Sequence, residues 1–408
     1  MEILSAKNEV IKAGRLLCEK GLIQRTWGNV SCRIDNNFFA ITPSGRDYLS
    51  LTVDDIVVVN IHDLEYEGDI KPSSEKGIHA QCYQLRSDVN FVIHTHQSYA
   101  SFIGLSGGDI NHLEGQYAEI IGKHVPLATY GLPGTGKLRD GVAAAVKRSQ
   151  SKAVLMHHHG ALCLGSDLDD AFNVALALEN ACREELFRKY SSVTSKTADS
   201  FKSLAGFVAG NLMKDTVKEE LPAYDSFREH GIIRMVPVDG GETVSIDIAT
   251  GKPLAQEKVC PATAKLHSDI YRKRSDVNAV LHSKETSTLE ASKTGLTIKP
   301  YLDDFAQIVG INLKCADYDT ANIKCSSAKA VRKLGRRDAL LLKHNGAVCL
   351  GKSEDEAEAV KLVTEKGCAA FAAAQLYGKE NDYIKFTECV LMRVIYKVKY
   401  SKKAETNK

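Results

Sequence analysis

His94 and His96 lie two apart in the apolar run F-V-I-H-T-H, residues 91–96. On a strand, that spacing sends both imidazoles out of one face. Two same-face imidazoles at a strand end can hold one divalent metal, most often zinc. A third nitrogen is offered by His159, which closes the apolar run A-V-L-M-H-H-H just ahead of Gly160. Glu75, in P-S-S-E at 72–75, supplies a carboxylate that could move protons beside such a metal. A lone strand-end histidine would signify little. Two separate clusters with a flanking carboxylate point to metal-assisted chemistry.

Three corners of small residues come before the first histidine pair: Gly28-Asn29, Ser44-Gly45 and Ser73-Ser74. Small residues let backbone N–H groups approach an anion, and the serine hydroxyls add donors. A helix starting near Ser73 would add its positive end. Singly each corner is a plain turn; together, beside a candidate metal site, they read as a phosphate cradle. G-L-P-G-T-G-K-L at 131–138 imitates a nucleotide-binding loop, but Leu138 stands where a magnesium-binding hydroxyl is required. It is read as a Gly/Pro loop.

The elements that must position these residues follow from periodicity and stop signals. An amphipathic helix is expected over 5–20, then strands after Gly28-Asn29, over F-F-A-I-T and over 55–61. A periodic segment to Leu85 leads into the His94 strand. Further helices are expected through Leu105, around Tyr117–Ile121 and over 138–148. The strand 152–159 carries the His-His-His triplet, and a long helix fills 167–190. The polar stretch 191–200 reads as a linker.

The chain repeats itself. H-A-Q-C-Y-Q-L-R-S-D-V-N-F-V-I-H-T-H from His79 recurs as H-S-D-I-Y-R-K-R-S-D-V-N-A-V-L-H-S-K from His267. V-L-M-H-H-H-G-A-L-C-L-G is echoed by L-L-K-H-N-G-A-V-C-L-G, in the same order. This is a tandem duplication whose chemistry was not copied. His282 matches His94, but Lys284 stands for His96, Asn345 for His159, and Pro261-Ala262-Thr263 for Ser-Ser-Glu. The second copy is expected to bind no metal. The organisation expected is a catalytic domain over 1–195, a linker with a helix over 196–224, a degenerate copy over 225–380, and a C-terminal strand with a basic tail over 381–408.

G-N-V-S at 28–31, T-P-S-G at 42–45, P-S-S-E, H-T-H and H-G at 159–160 together resemble the class II aldolase/adducin family. The resemblance implies an α/β/α fold on a mainly antiparallel sheet, here present twice. It implies zinc on His94, His96 and His159, with Glu75 as acid/base. Gly28, Asn29, Ser44, Gly45, Ser73 and Ser74 would hold a substrate phosphate. The implied reaction is cleavage of a phosphorylated ketose to dihydroxyacetone phosphate and an aldehyde, through a metal-stabilised enediolate. A sugar-phosphate 4-epimerase or dehydratase on the same metal site is the alternative, with an adducin-like scaffold as a third reading. Glu rather than Asp at 75 favours the aldolases. Family members of this kind form rings of four in which a neighbour's tyrosine donates a proton. Tyr117 lies close to that position, about two residues off. Two chains with two domains each would build such a ring, with Tyr301 of the second copy as a candidate donor.

Composition fits that reading and excludes others. Of 408 residues, 44% are hydrophobic and 25% charged, the balance of a globular chain with substantial cores. A net charge of +2 argues against nucleic acid or an anionic membrane as partner. The N-terminus lacks the basic and apolar regions of a secretory signal, and no apolar run approaches ~20 residues. Eleven cysteines, none in a C-x-x-C pair, suggest reduced thiols in the cytoplasm.

Overall fold

The computed structural model describes residues 1–23, 25–198, 200–214, 220–255 and 258–399. The chain divides into two compact units, Met1–Lys189 and Tyr190–Lys408. The break falls inside a helix, a few residues before the expected boundary at 195.

The first unit runs α1 (Ile3–Glu19), β1 (Gly28–Arg33), β2 (Phe38–Ile41), β3 (Val57–Asn60), α2 (Lys76–Leu85), β4 (Phe91–Thr95), α3 (Ser98–Gly104), α4 (Gly115–Ile120), β5 (Leu127–Ala128), α5 (Gly136–Lys147), β6 (Ala153–Met156), β7 (Gly160–Gly165) and α6 (Leu168–Thr194). Its seven strands lie in the order β3-β2-β1-β4-β7-β6-β5. All neighbours are antiparallel except β5 and β6. Alternate residues sort to the two faces. Phe39, Ile41, Val92, Val154 and Leu162 join α2 and α5 in one core. The intervening residues face the other layer, where α1 lies on β1 and β2, and α3 on β6 and β7. Sheets covered on both faces bury nearly continuous runs, and β4, β6 and β7 are buried throughout.

The second unit follows the same plan: α7 (Phe201–Leu212), β8 (Tyr224–Glu229), β9 (Ile232–Pro237), β10 (Val244–Asp247), α8 (Pro261–Lys273), β11 (Ala279–Ser283), α9 (Thr286–Lys293), α10 (Asp303–Ile308), β12 (Cys315–Ala316), α11 (Ile323–Leu334), β13 (Ala339–Leu342), β14 (Ala347–Gly351), α12 (Glu354–Leu376) and α13 (Phe386–Lys399). The strand order β10-β9-β8-β11-β14-β13-β12 is the first sheet's order again. The three-layer, mainly antiparallel fold is therefore present twice.

Three local expectations need correction. The C-terminal segment forms the helix α13, not a strand, and 400–408 lie outside the described residues. Its run V-I-Y-K-V-K is rich in strand-forming residues, but Cys389 and Met392 are buried at helical spacing. Arg393 of α13 also donates to the carbonyl of Gln307 at the end of α10. Packing overrides local β-propensity here. The linker 191–200 is helical as far as Thr194, whose hydroxyl bonds the Tyr190 carbonyl one turn back. The helix expected near Ser73 begins at Lys76, because the Ser73 hydroxyl accepts the Glu75 N–H and ends the preceding turn.

Strand β4 carries His94 and is approached from both sides by glycine. A Cβ on Gly28 of β1 would stand 2.6 Å from the His94 carbonyl oxygen, and Gly28 has φ +120°. A Cβ on Gly160 of β7 would collide with the Thr95 carbonyl oxygen. These contacts draw β1, β4 and β7 together at one end of the sheet. Gly160→Ala is therefore expected to destabilise the chain by about 1–3 kcal/mol in urea unfolding. Unchanged stability would mean that β7 has room to move.

Candidate active site

Register and helical phase assemble the site. Asn29 and Ser31 of β1 pair directly opposite His94 and Val92 of β4, so they share the sheet face under α2. Glu75, which caps that helix, and His79 and Tyr83 within it follow at intervals of four and project onto the same strand residues. The Asn29 amide donates to Glu75 Oε2 at 2.9 Å. His79 bonds Asn29 Oδ1 through Nε2 and Ser31 Oγ through Nδ1, the latter at 2.6 Å.

The three sequence-predicted histidines come together. His94 Nε2 lies 3.1 Å from His96 Nε2 and 3.0 Å from His159 Nε2. His96 stands just past the end of β4. His159 sits in the tight β6–β7 connection, where His158 takes φ +60° and the His159 N–H returns to the Met156 carbonyl at 3.1 Å. The His94 Nδ1–H donates to the Ala161 carbonyl at 2.9 Å, which leaves the Nε2 lone pair aimed at its neighbours. A tetrahedral ion with bonds of ~2.0–2.1 Å needs its donors about 3.3–3.4 Å apart. The observed spacing is within a few tenths of that, so the donor set fits a divalent cation. His94 and His159 are almost wholly buried.

Glu75 completes the cluster. Its carboxylate oxygens stand 3.2 Å from His94 Nε2 and 3.0 Å from His159 Nε2. Burial works against its charge, but with no metal bound a proton on the facing His94 and His159 rings outweighs burial and holds the carboxyl well below the usual range. A buried, ionised carboxylate beside the three nitrogens can act as a base.

The three small-residue corners are tied together by Thr42, which sequence reasoning did not single out. Its hydroxyl accepts the Val30 N–H at 3.2 Å, its own N–H bonds the Val30 carbonyl, and its carbonyl accepts the Ser73 N–H at 3.0 Å. The Ser44 N–H bonds the Lys71 carbonyl at 2.9 Å. Gly28, Asn29, Ser44, Gly45, Ser73 and Ser74 thus form one cluster. The loop 131–135 also belongs here: a Cβ on Gly134 would stand 3.3 Å from the Ser74 carbonyl oxygen. Ser31, His79 and Tyr83 were likewise missed. Their signal was the repeat itself, since H-x-x-x-Y recurs as His267 and Tyr271.

In the second unit the replaced positions are used otherwise. Asn345 accepts the Leu221 N–H at 2.6 Å, Lys284 reaches the Glu220 carboxylate at 3.6 Å, and Thr263 donates to the Pro222 carbonyl at 2.9 Å. All three changes hold the segment that enters β8. Tyr301 engages its hydroxyl within its own unit. It is 3% exposed and donates to the Glu380 carbonyl, a correction to the expected proton donor. Tyr117 is half-buried on α4 and donates to Glu184 at 2.6 Å, which raises its pKa.

Burial pushes His267 down to about 3 and His282 down to about 4, from 6.5. Below pH 6.5 the unfolded chain binds protons that the native chain refuses, so the stability these residues confer is full above 6.5. It is lost as pH falls through about 4 and then 3. The slope should reach about 1.4 kcal/mol per pH unit for each histidine. Urea unfolding between pH 7 and 4.5 checks this, and His282→Gln should flatten the profile. A profile unaltered in the variant would mean that other groups set it.

The profile of the family described as Class II Aldolase and Adducin N-terminal domain matches residues 8–186 and again 234–371. The 5-deoxy-D-ribulose 1-phosphate aldolase of Bacillus thuringiensis serovar kurstaki is 32% identical over 180 residues, 44% of this chain and 83% of that protein. An L-ribulose-5-phosphate 4-epimerase of Salmonella paratyphi B is 31% identical over 188 residues, 43% of this chain and 82% of that protein. Among solved structures, an L-fuculose 1-phosphate aldolase is 33% identical. The match covers 46% of this chain and 87% of that one, with a TM-score of 0.43.

Proposed function

Because the chain belongs to the class II aldolase and adducin N-terminal domain family, we propose that its first unit is a zinc-dependent aldolase. Its substrate is a phosphorylated ketose, cleaved to dihydroxyacetone phosphate and an aldehyde. The observation that supports this best is the Glu75 carboxylate lying 3.0–3.2 Å from two of three clustered imidazoles. His94, His96 and His159 would hold the zinc, which supplies Lewis-acid stabilisation for charge developing on substrate oxygens.

The protein's own groups do the rest. Gly28, Asn29, Ser44, Gly45, Ser73 and Ser74 bind the phosphate through backbone N–H groups and hydroxyls. Glu75 takes up and returns the proton at the carbon that loses its bond to the aldehyde. Asn29 holds Glu75 Oε2 in place. Among its described residues the second unit lacks a counterpart of the three-histidine group, and it acts as a structural partner, with two chains forming a four-domain ring; light scattering giving a mass near four chains would reject that assembly. The similarity to an epimerase supports a second reading, a 4-epimerase on the same groups.

Incubation with a panel of phosphorylated ketoses separates the two readings. Release of dihydroxyacetone phosphate marks the aldolase; an isomeric pentulose phosphate as product marks the epimerase. Elemental analysis should give about one zinc per chain, lost in His96→Ala. Glu75→Gln should keep the zinc and lose at least about a hundredfold in turnover, since an amide cannot take up a proton at neutral pH. Zinc loss in that variant would make Glu75 a ligand first, and full activity would remove it from the mechanism.

A further inference from the structure

A buried row of five side chains runs from Tyr83 to the Glu75 carboxylate. The Tyr83 hydroxyl is 2.7 Å from Ser31 Oγ, and Ser31 Oγ is 2.6 Å from His79 Nδ1. His79 Nε2 meets Asn29 Oδ1, and Asn29 Nδ2 donates to Glu75 Oε2 at 2.9 Å. All five are under 9% exposed, so water does not stand in for a missing partner.

Donor and acceptor roles along the row follow from its carboxylate end. A carboxylate only accepts, so the Asn29 amide must turn its NH2 towards Glu75 and its oxygen towards His79. His79 must then carry its proton on Nε2, and Nδ1 must accept from the Ser31 hydroxyl. Ser31, having donated, accepts from Tyr83. The order is unique. If His79 carried its proton on Nδ1, its Nε2 lone pair would face the Asn29 oxygen. The amide would then have to reverse, setting its oxygen against the Glu75 carboxylate.

We propose that Ser31 and His79 are positioning residues: by fixing one imidazole tautomer they fix the Asn29 amide and, through it, the Glu75 carboxylate. The catalytic consequence rests on the aldolase reading, whereas the tautomer does not.

The second unit supplies a control within the same chain. Ser226 Oγ lies 2.7 Å from His267 Nδ1 and 3.1 Å from the Tyr271 hydroxyl, so the first three members stand in the same places, although the Tyr271 hydroxyl donates to the Ser226 carbonyl at 2.7 Å. There the row stops. Strand register puts Tyr224 where Asn29 stands, and Thr263 replaces Glu75. His267 Nε2 has no hydrogen-bond partner among the described residues. The Tyr-Ser-His triple can therefore serve the fold alone, and only its extension through Asn29 gives it a carboxylate to orient.

Ser31→Ala and Ser226→Ala, made separately in the full zinc-loaded chain, distinguish the two roles. Both should lower Tm by a similar amount. Ser31→Ala alone should lower kcat, by about tenfold for one lost orienting hydrogen bond, with KM and zinc content within about twofold of the parent. Ser226→Ala should leave kcat within about twofold. Equal kcat values in the two variants would overturn the proposal. Histidine-selective 15N NMR, with His79 assigned from His79→Gln, should show the Nε2–H tautomer in the parent; the Nδ1–H form would also overturn it. If the parent turns over no ketose phosphate, the aldolase reading fails while the NMR result still decides the tautomer.

Discussion

One match of periods holds the first unit's site together. Two residues of a strand advance about 6.6 Å, and four residues of a helix about 6 Å. Asn29, Ser31 and Arg33 on β1 therefore stay in step with Glu75 at the cap of α2 and with His79 and Tyr83 within it. Arg33 closes the far end. Its guanidinium lies 4.7 Å from the centre of the Tyr83 ring and donates to the carbonyls of Tyr83 and Arg86, at 2.7 and 3.0 Å. It thereby satisfies carbonyls that the end of α2 leaves open. At the near end the same clamp delivers Glu75 to the histidines. Because Asn29 sits opposite His94 in the ladder, a slip of β1 by one residue would turn the row to the other face.

The duplicate separates what this clamp does for the fold from what it does for chemistry. Arg228 repeats every bond of Arg33, donating to Tyr271, Arg274 and Val277. The repeated R-S-D-V-N turn also keeps its side-chain fork: Arg86 pairs with Asp88, and Arg274 with Asp276. These groups survive where no carboxylate waits at the end of the row. What changed are the positions that face the histidine cluster, and each replacement bonds the segment ahead of β8. A metal site left without metal would bury imidazoles and a carboxylate at a desolvation cost. Exchanging them for groups with partners in the chain removes that cost.

Much of this could be read from the sequence because the informative residues are locally encoded. His94 and His96 sit at a strand's period, Gly160 follows His159, and the repeats display the fold twice. Thr42, by contrast, looks like one more strand residue, and only the meeting of three distant segments gives its hydroxyl and carbonyl their work. Ser31 was visible inside G-N-V-S without any sign that it faces His79, because that contact depends on how β1 and α2 are registered. The motif at 131–138 reads only as a failed nucleotide loop, and the closeness of its Gly134 to Ser74 arises from tertiary placement. The C-terminal helix is not legible locally, because its burial pattern depends on its contact with α10.

Proton exchange tests the central claim, that Glu75 is a base positioned beside a metal-binding histidine cluster. Zinc-loaded protein is incubated with dihydroxyacetone phosphate in deuterium oxide without aldehyde, and deuterium at the hydroxymethyl carbon is followed by NMR. The parent should exchange one of the two prochiral protons, and Glu75→Gln with its zinc still bound should exchange none. No exchange in the zinc-loaded parent, or undiminished exchange in Glu75→Gln, would contradict the account.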